Sequence, residues 1–274
     1  MTAPGRSSGA VTEERTGADF VLTRDWTDLA QSPKHARLLQ RRAKILRHVE
    51  TYGRQVRVLD RLLGDAVRKH EPVLEVACGM GFYLLDLSAL GWTRIVGMEI
   101  DPHLSVLTQS AARRFALPLK VLVGDACAIP VADGTCAAVL SHSFFEHVYD
   151  VDLALREQVR VLKPGGRLLV FDGNLLNPKT VFDLLVLYPI RTRGRRGGLR
   201  WAMHKRKIYE NLYGYLPRGR DEDIRTPRWW RKRIGREPGL KVIWAGTGGH
   251  FTHPHLPSWA RTFIGSCVVV AEKT

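Results

Sequence analysis

Three acidic residues stand at the ends of three successive apolar runs, each beside backbone that a ligand can approach. The first run is Val73-Leu-Glu-Val-Ala-Cys-Gly-Met-Gly81, where Glu75 lies just ahead of a turn carrying Ala77, Gly79 and Gly81. Glycine lacks a Cβ, so its main chain can come close to a bound molecule. A carboxylate at such a turn repels pyrophosphate and instead suits the ammonium end of a zwitterionic amino acid, directly or through water. Eighteen residues beyond Gly81 the second run closes on Gly97-Met-Glu99-Ile-Asp101. A carboxylate at Glu99 can accept hydrogen bonds from both hydroxyls of a ribose. The third run ends at Val123-Gly-Asp125-Ala126. There an Asp125 oxygen can accept an adenine amino group, while the neighbouring backbone N–H reaches a ring nitrogen. An amino acid, a sugar and a base are thus addressed at successive strand ends, where open α/β sheets bind ligands.

Common phosphate-binding loops do not fit. The dinucleotide fingerprint GxGxxG would require glycine where Leu84 stands, and no Gly-Lys-Ser/Thr run is present. Alone, Glu99 and Asp125 would each read as surface acids; their joint register with Glu75 makes them a set.

The elements that must position these acids follow from periodicity. Val73 to Ala77, Ile95 to Ile100, Leu119 to Val123, Ala137 to Leu140 and Arg167 to Asp172 read as strands separated by helical stretches. That alternation implies a mainly parallel sheet with right-handed crossovers. A helix is expected to end at Leu162, where Lys163-Pro164-Gly165-Gly166 stops it and turns the chain. Thr226-Pro227 reads as an N-cap with proline at the first helical position. Two closing strands are expected at Leu240 to Ala245 and Phe263 to Ala271. Residues 1–18 read as a mobile leader. Residues 19–71 read as a cap of two basic amphipathic helices, with apolar positions from Leu38 to Val49 and from Val56 to Val67. The main domain spans 72–274, with an inserted cap at about 174–225, a stretch too long for a plain connection.

Residues of about 72 to 174 resemble the class I methyltransferases, particularly the broad group related to the quinone-biosynthesis enzymes. The matching stretches are LEVACGMG, VGMEID, VGDACAIPVADGT, LSHSFFEHV and RVLKPGGRLLV. The resemblance implies a Rossmann-like α/β fold, a seven-stranded mostly parallel sheet with a reversed last hairpin, and S-adenosylmethionine as cofactor. It implies that Glu75, Ala77, Gly79 and Gly81 surround the methionine moiety, that Glu99 holds the ribose, and that Asp125 and Ala126 hold adenine. It places Ser141 and the backbone after it near the methionine end. Ala77 stands where the family has a first glycine, a substitution tolerable if φ stays negative. Ala137 stands where an aspartate is common.

The reaction implied is methyl transfer to an O, N or C atom of a small molecule, an in-line displacement that positioning alone can accelerate. His142 and His147, clustered with Glu146 after the fourth strand, are the candidates for a general base. His250, His253 and His255 match no helix-borne or finger spacing and read as a loop rim, so no metal is expected.

Net charge is +15, and it is localised: residues 191–236 carry 16 Lys and Arg against 4 acids, whereas 72–174 carry 8 against 11. Basic flanks attract nucleic acid, anionic lipid or anionic small molecules, and charge does not choose among them. A small-molecule acceptor leads, with an anionic one left open. An RNA methyltransferase is the first alternative, opposed by the absence of an Asn/Asp-Pro-Pro-aromatic motif where Ser141-His-Ser-Phe stands. A cofactor-binding scaffold without transfer activity is the second. Trp201, Tyr209, Tyr213, Tyr215, Trp229 and Trp230, interleaved with basic residues, read as an acceptor pocket, as the insertion's own core or as stacking platforms for RNA. The apolar run around Val181 to Ile190 contains Asp183 and falls short of the roughly 20 residues a bilayer span needs. A cytoplasmic protein is expected, with peripheral membrane contact open. The cysteines at 78, 127, 136 and 267 form no CxxC pair and are expected as buried thiols.

Overall fold

Aliphatic runs too short for helices, separated by glycine-bearing turns and helical-period segments, give strands sandwiched between helices. The computed structural model describes residues 53–64, 66–114, 116–182, 186, 204–207, 220–223 and 225–274. The leader 1–18 and the first cap helix lie outside these residues, as does most of the 174–225 insertion.

The central strands are β1 (Val73–Val76), β2 (Ile95–Glu99), β3 (Leu119–Val123), β4 (Cys136–His142), β5 (Leu162–Asp172), β8 (Leu240–Thr247) and β9 (Cys267–Lys273). They form one sheet in the order β3-β2-β1-β4-β5-β9-β8. The first five are parallel, and β9 inserts antiparallel between β5 and β8. The reversed last hairpin is therefore present. In the insertion lie a short helix, α5 (Pro178–Phe182), and a separate hairpin, β6 (His204–Lys207) with β7 (Arg220–Asp223).

Alternation along each strand feeds two cores. Leu74, Val76, Met98, Val139, Val170 and Val269 face α4 (Val151–Val161) and α6 (Pro227–Ile234), whose Leu155 and Trp230 are buried among them. Val73, Ile95, Val121, Leu140 and Leu169 face α1 (Gly53–Gly64), α2 (Phe82–Ala89) and α3 (Pro102–Arg114). Glu75 alternates with Val73 and so belongs to this second face. The helix α1 is tied down at its C-terminal half: Trp92 Nε1 donates to Asp60 Oδ1 at 2.8 Å, and Arg167 Nη1 to the Leu62 carbonyl at 3.3 Å. All four cysteines are free and buried.

Local signals hold to different degrees. Thr226 Oγ1 accepts from Trp229 N at 3.2 Å, the cap its sequence specifies, with Pro227 at the first turn. The α4 helix ends at Val161, and β5 begins at Leu162, earlier than Arg167, because Leu162 already pairs with Cys136 and the Pro-Gly-Gly turn is a bulge inside the strand. Ala137 sits at that irregularity, fully buried, with its N–H on the Pro72 carbonyl at 2.8 Å. The last strand starts at Cys267 and not at Phe263, since residues 260–264 close a turn through Phe263 N to Ala260 O and Ile264 N to Arg261 O, and Gly265 follows at φ 75°. Between β8 and β9 lie α7 (Gly249–Thr252) and α8 (Ser258–Arg261).

Candidate active site

The turn after β1 is built by the acid of β2. Glu99 Oε2 accepts from Gly79 N at 2.7 Å, while its Oε1 accepts from Ile100 N and Asp101 N at 2.9 and 3.1 Å. Thr108 Oγ1 donates to the Gly79 carbonyl at 3.3 Å, so that glycine is clamped from both sides. Three residues of the turn take left-handed backbone: Ala77 at φ 55°, Gly79 at φ 56° and Gly81 at φ 67°. For Ala77 this overturns the expected negative φ. The chain must leave β1 sharply while Cys78 N pairs with Met98 O at 3.0 Å, and that geometry outweighs an alanine strain of about 1–2 kcal/mol.

The two glycines turn out to do different things. A Cβ on Gly79 would meet nothing within 4 Å, whereas one on Gly81 would lie 2.1 Å from Thr108 Cγ2. Only Gly79 bares its backbone to open space; Gly81 makes room for α3.

Glu75 is 2% exposed, and its Oε2 has no hydrogen-bond partner. Burial, with the Glu99 charge adding to it, holds the Glu75 carboxyl well above the usual carboxylate range. Glu99 is raised too, by burial, against the pull of its N–H donors. Cys78 is pushed up by burial and by these two acids, so its thiol stays protonated. One strand over, Ser141 pairs with Val76 in the ladder, is buried, and has no partner for Oγ. Ser143, just past β4, is left-handed at φ 48° with its N–H on the Phe171 carbonyl at 2.8 Å. Unpaired polar atoms and strained non-glycine backbone thus gather at the adjoining ends of β1 and β4, the kind of arrangement found at ligand sites.

Asp125 lies beyond β3. Its Oδ1 accepts from Cys127 N and its Oδ2 from the Tyr149 hydroxyl, both at 2.9 Å. Tyr149 had no distinguishing sequence pattern, and only the fold brings it to Asp125. Ala126 is buried beside them.

Against the second face lies a cavity of about 350 Å³, lined by Val58 and Leu59 of α1, Tyr83 of α2, Leu140 and His142 of β4, Phe171 of β5 and His253 from the segment between β8 and β9. Among the described residues no lysine or arginine lines it. Leu140 is the ladder neighbour of Glu75, so cavity and acid sit on adjacent strands of one face. The structure places His142, and not His147, in this lining. His142 packs against Tyr83 with ring centroids 4.7 Å apart, and burial pushes its imidazole down to about 4. His147 instead lies 3.5 Å from the Glu146 carboxylate. The histidines of the β8–β9 segment separate as well. His250 Nδ1 sits 3.2 Å from Thr247 Oγ1, His255 is exposed, and His253 reaches the cavity. Its Gly/Pro-rich setting gave no sign of that, because the contact depends on how the closing hairpin folds back.

His142 makes a signed stability prediction. Between its ordinary 6.5 and about 4 the unfolded chain takes up a proton that the folded chain refuses, so its contribution is present above pH 6.5 and lost as pH falls through that window. His142→Phe should relieve up to about 3 kcal/mol of this loss. In thermal melts it should gain more, relative to the parent, at pH 5 than at pH 8; equal changes at both would refute the burial.

The fold and these strand-end acids define a Rossmann-like domain of the kind that holds an adenosyl ligand across the ends of its first strands. Residues 74–170 match the family model described as a methyltransferase domain. Over this segment the chain is similar to S-adenosylmethionine-dependent methyltransferases. A demethylmenaquinone methyltransferase of Thermus thermophilus is 31% identical over 133 residues, covering 48% of this chain and 60% of that one. A norajmaline N-methyltransferase of Rauvolfia serpentina is 31% identical over 108 residues, covering 39% and 37%. The chain thus spans 60% and 37% of the length of these two relatives. The crystal structure of a SAM-dependent methyltransferase from Aquifex aeolicus aligns with TM-score 0.52 over 85% of this chain and 98% of that one, at 18% identity, a likeness of fold.

Proposed function

We propose that the chain transfers the methyl group of S-adenosylmethionine to an uncharged small molecule held in the cavity under α1. The observation that carries this is the junction of β1 and β4, where a buried acid with an unpaired oxygen adjoins, on the same face, a cavity whose described lining holds no lysine or arginine. The residues fit the cofactor. Glu75 offers an acceptor to the ammonium of the methionine moiety, Gly79 and Ala77 offer bare turn backbone, and Glu99 has remaining acceptor capacity on Oε2 for the ribose. Asp125, oriented by Tyr149, and the Ala126 backbone address adenine, and Ser141 addresses the methionine end. Bound there, the cofactor supplies a methyl group made electrophilic by its sulfonium.

The protein's own part is placement and exclusion of water. Leu59, Leu140 and Phe171 remove water from the reacting region, which strengthens every polar interaction within it. His142, a poor proton holder, is neutral at physiological pH and orients a donor group on the acceptor by accepting its hydrogen bond. Methyl transfer held in line gains most of its rate from such positioning. The lining favours an uncharged acceptor over an anionic one, because a buried anion there would find no lysine or arginine among the described lining residues to pair with.

Calorimetry with S-adenosylmethionine and S-adenosylhomocysteine tests the reading. Glu99→Ala and Asp125→Ala should each weaken binding by about tenfold to a hundredfold, the scale of a lost charge-assisted hydrogen bond. Parental affinity in both variants would defeat the assignment.

A further inference from the structure

Asp125, the acid proposed to meet adenine, is held by two donors from different parts of the chain. Its Oδ1 accepts from Cys127 N at 2.9 Å, two residues on, and Ala128 N donates to its carbonyl at 2.9 Å, so the 125–128 turn fixes that side of the carboxylate locally. Its Oδ2 accepts from the Tyr149 hydroxyl at 2.9 Å, across 24 residues. The carboxylate therefore cannot rotate without breaking a hydrogen bond.

Tyr149 has little freedom of its own. Its ring packs against the core that holds Val139 and Leu155. The next residue, Asp150, caps α4, its Oδ1 accepting from Leu153 N at 2.9 Å, and its carbonyl lies 3.5 Å from Cys127 Sγ. The turn after β3 and the start of α4 are thus fastened at two neighbouring points, Asp125 to Tyr149 and Cys127 to Asp150. Burial, and then the contacts with Cys127 and Asp125, raise the Tyr149 phenol above its ordinary range, so the hydroxyl keeps its proton and donates it. The turn itself does not need this bond, because Cys127 N and Ala128 N already close it. What Tyr149 adds is a fixed direction for Oδ2. A carboxylate oxygen has two lone pairs, so Oδ2 retains one acceptor position once Tyr149 is satisfied, and offers no donor.

We infer that Tyr149 is a positioning residue that sets base selectivity: by pinning Asp125 Oδ2 it presents a fixed acceptor, which takes an amino group at the 6-position of a purine and rejects a carbonyl there. This rests on the adenine assignment of Asp125 and deepens it. An amino group donates to the remaining lone pair. A carbonyl oxygen would meet that lone pair with its own, and Asp125 has no way to turn aside, since the turn holds one oxygen and the tyrosine the other. Polar groups desolvated and left unpaired are what make such rejection steep. Without the hydroxyl, Oδ2 is free to swing away from the carbonyl, so selectivity falls although part of the contact with adenine survives.

Titration calorimetry with S-adenosylhomocysteine and its deaminated analogue S-inosylhomocysteine, in which a carbonyl replaces the amino group, tests this and needs no methyl acceptor. The parent should prefer the adenosyl compound by about tenfold to a hundredfold. Tyr149→Phe should weaken that compound roughly threefold to tenfold, leave the inosyl one unchanged or tighter, and so cut the preference by about fivefold or more. A tyrosine that only supported the fold would weaken both ligands alike and leave their ratio where it was. Asp125→Asn supplies an amide that donates as well as accepts, so it should erase most of the preference by itself. Adding Tyr149→Phe to that variant should then change the ratio little. A parental ratio in Tyr149→Phe overturns the inference, as does tighter binding of S-adenosylhomocysteine, which would make Tyr149 a competitor of the base for Asp125. Equal affinity of the unaltered protein for the two compounds overturns it whether or not the variants fold. Failure of the unaltered protein to bind S-adenosylhomocysteine at all is a different result, which removes the adenine assignment itself and this inference with it.

Discussion

Glu75→Gln should raise the melting temperature of the ligand-free protein at pH 8 while lowering its affinity for S-adenosylmethionine between about ten- and a hundredfold. The two effects share a cause. Burial and the neighbouring Glu99 charge raise the Glu75 carboxyl above its unfolded value. As pH climbs from the ordinary carboxylate range toward that raised value, the unfolded chain has lost a proton that the folded chain still holds. The sign is therefore the reverse of a salt-bridged acid: stability linked to Glu75 is intact at low pH and declines as pH rises through the window. Glutamine removes the penalty because it has no charge to desolvate. A cationic ligand favours the ionised carboxylate, so binding should release a proton, and affinity should increase with pH across the same window. Titration calorimetry in two buffers of different ionisation enthalpy measures that release, which Glu75→Gln should abolish. A variant that binds as tightly as the parent, with the same proton release, would remove Glu75 from the site.

Gly81→Ala should be the most damaging single methyl in the turn, costing about 3 kcal/mol or more, whereas Gly79→Ala should leave a folded protein that binds cofactor poorly. Both positions have positive φ, so each alanine carries left-handed strain of about 1–2 kcal/mol. They differ in what the new carbon meets. At Gly81 it would overlap Thr108 Cγ2, whose side chain is fully buried and pinned by its hydrogen bond to Gly79, so overpacking adds about 1–3 kcal/mol. At Gly79 it would enter open space, on the side proposed for the cofactor. Thr108→Ser removes the overlapping methyl, and Gly81→Ala in that background should recover the packing part of the loss and keep the strain. Denaturant melts of the four combinations form the cycle that separates the two. Should Gly79→Ala unfold the chain as much as Gly81→Ala, the division of labour between the glycines fails.

The relation between these glycines illustrates what the sequence could and could not declare. Glu75, Glu99 and Asp125 are legible because each must follow a short apolar run, and a strand's direction carries its last residues to the ligand-bearing edge of a parallel sheet. The same local grammar located the Thr226 cap, the β1 turn and two closing strands, whereas the reversal of the hairpin they form was implied by the resemblance. Periodicity left strand ends loose, since Leu162 is decided by its pairing partner Cys136, 26 residues earlier, and residues 263–266 by a turn of their own. It could not separate Gly79 from Gly81, because the partner that fills one space, Thr108, belongs to another helix.

Nor could it rank the histidines. His142 and His147 are five residues apart and equally plausible as bases, yet only the fold turns one into the cavity and leaves the other beside Glu146. His253, read as part of a rim, reaches that cavity because α7 and the 264–266 turn fold the hairpin connection back toward α1. Tyr149 meets Asp125 across 24 residues with no motif to announce it. The sequence by itself determined the class of fold and the acids at the strand ends, because both follow from strands and where they stop. The tertiary structure alone decided what surrounds those acids, which imidazole lines the cavity and which aromatics remain outside, because each depends on where separate elements come to rest against one another.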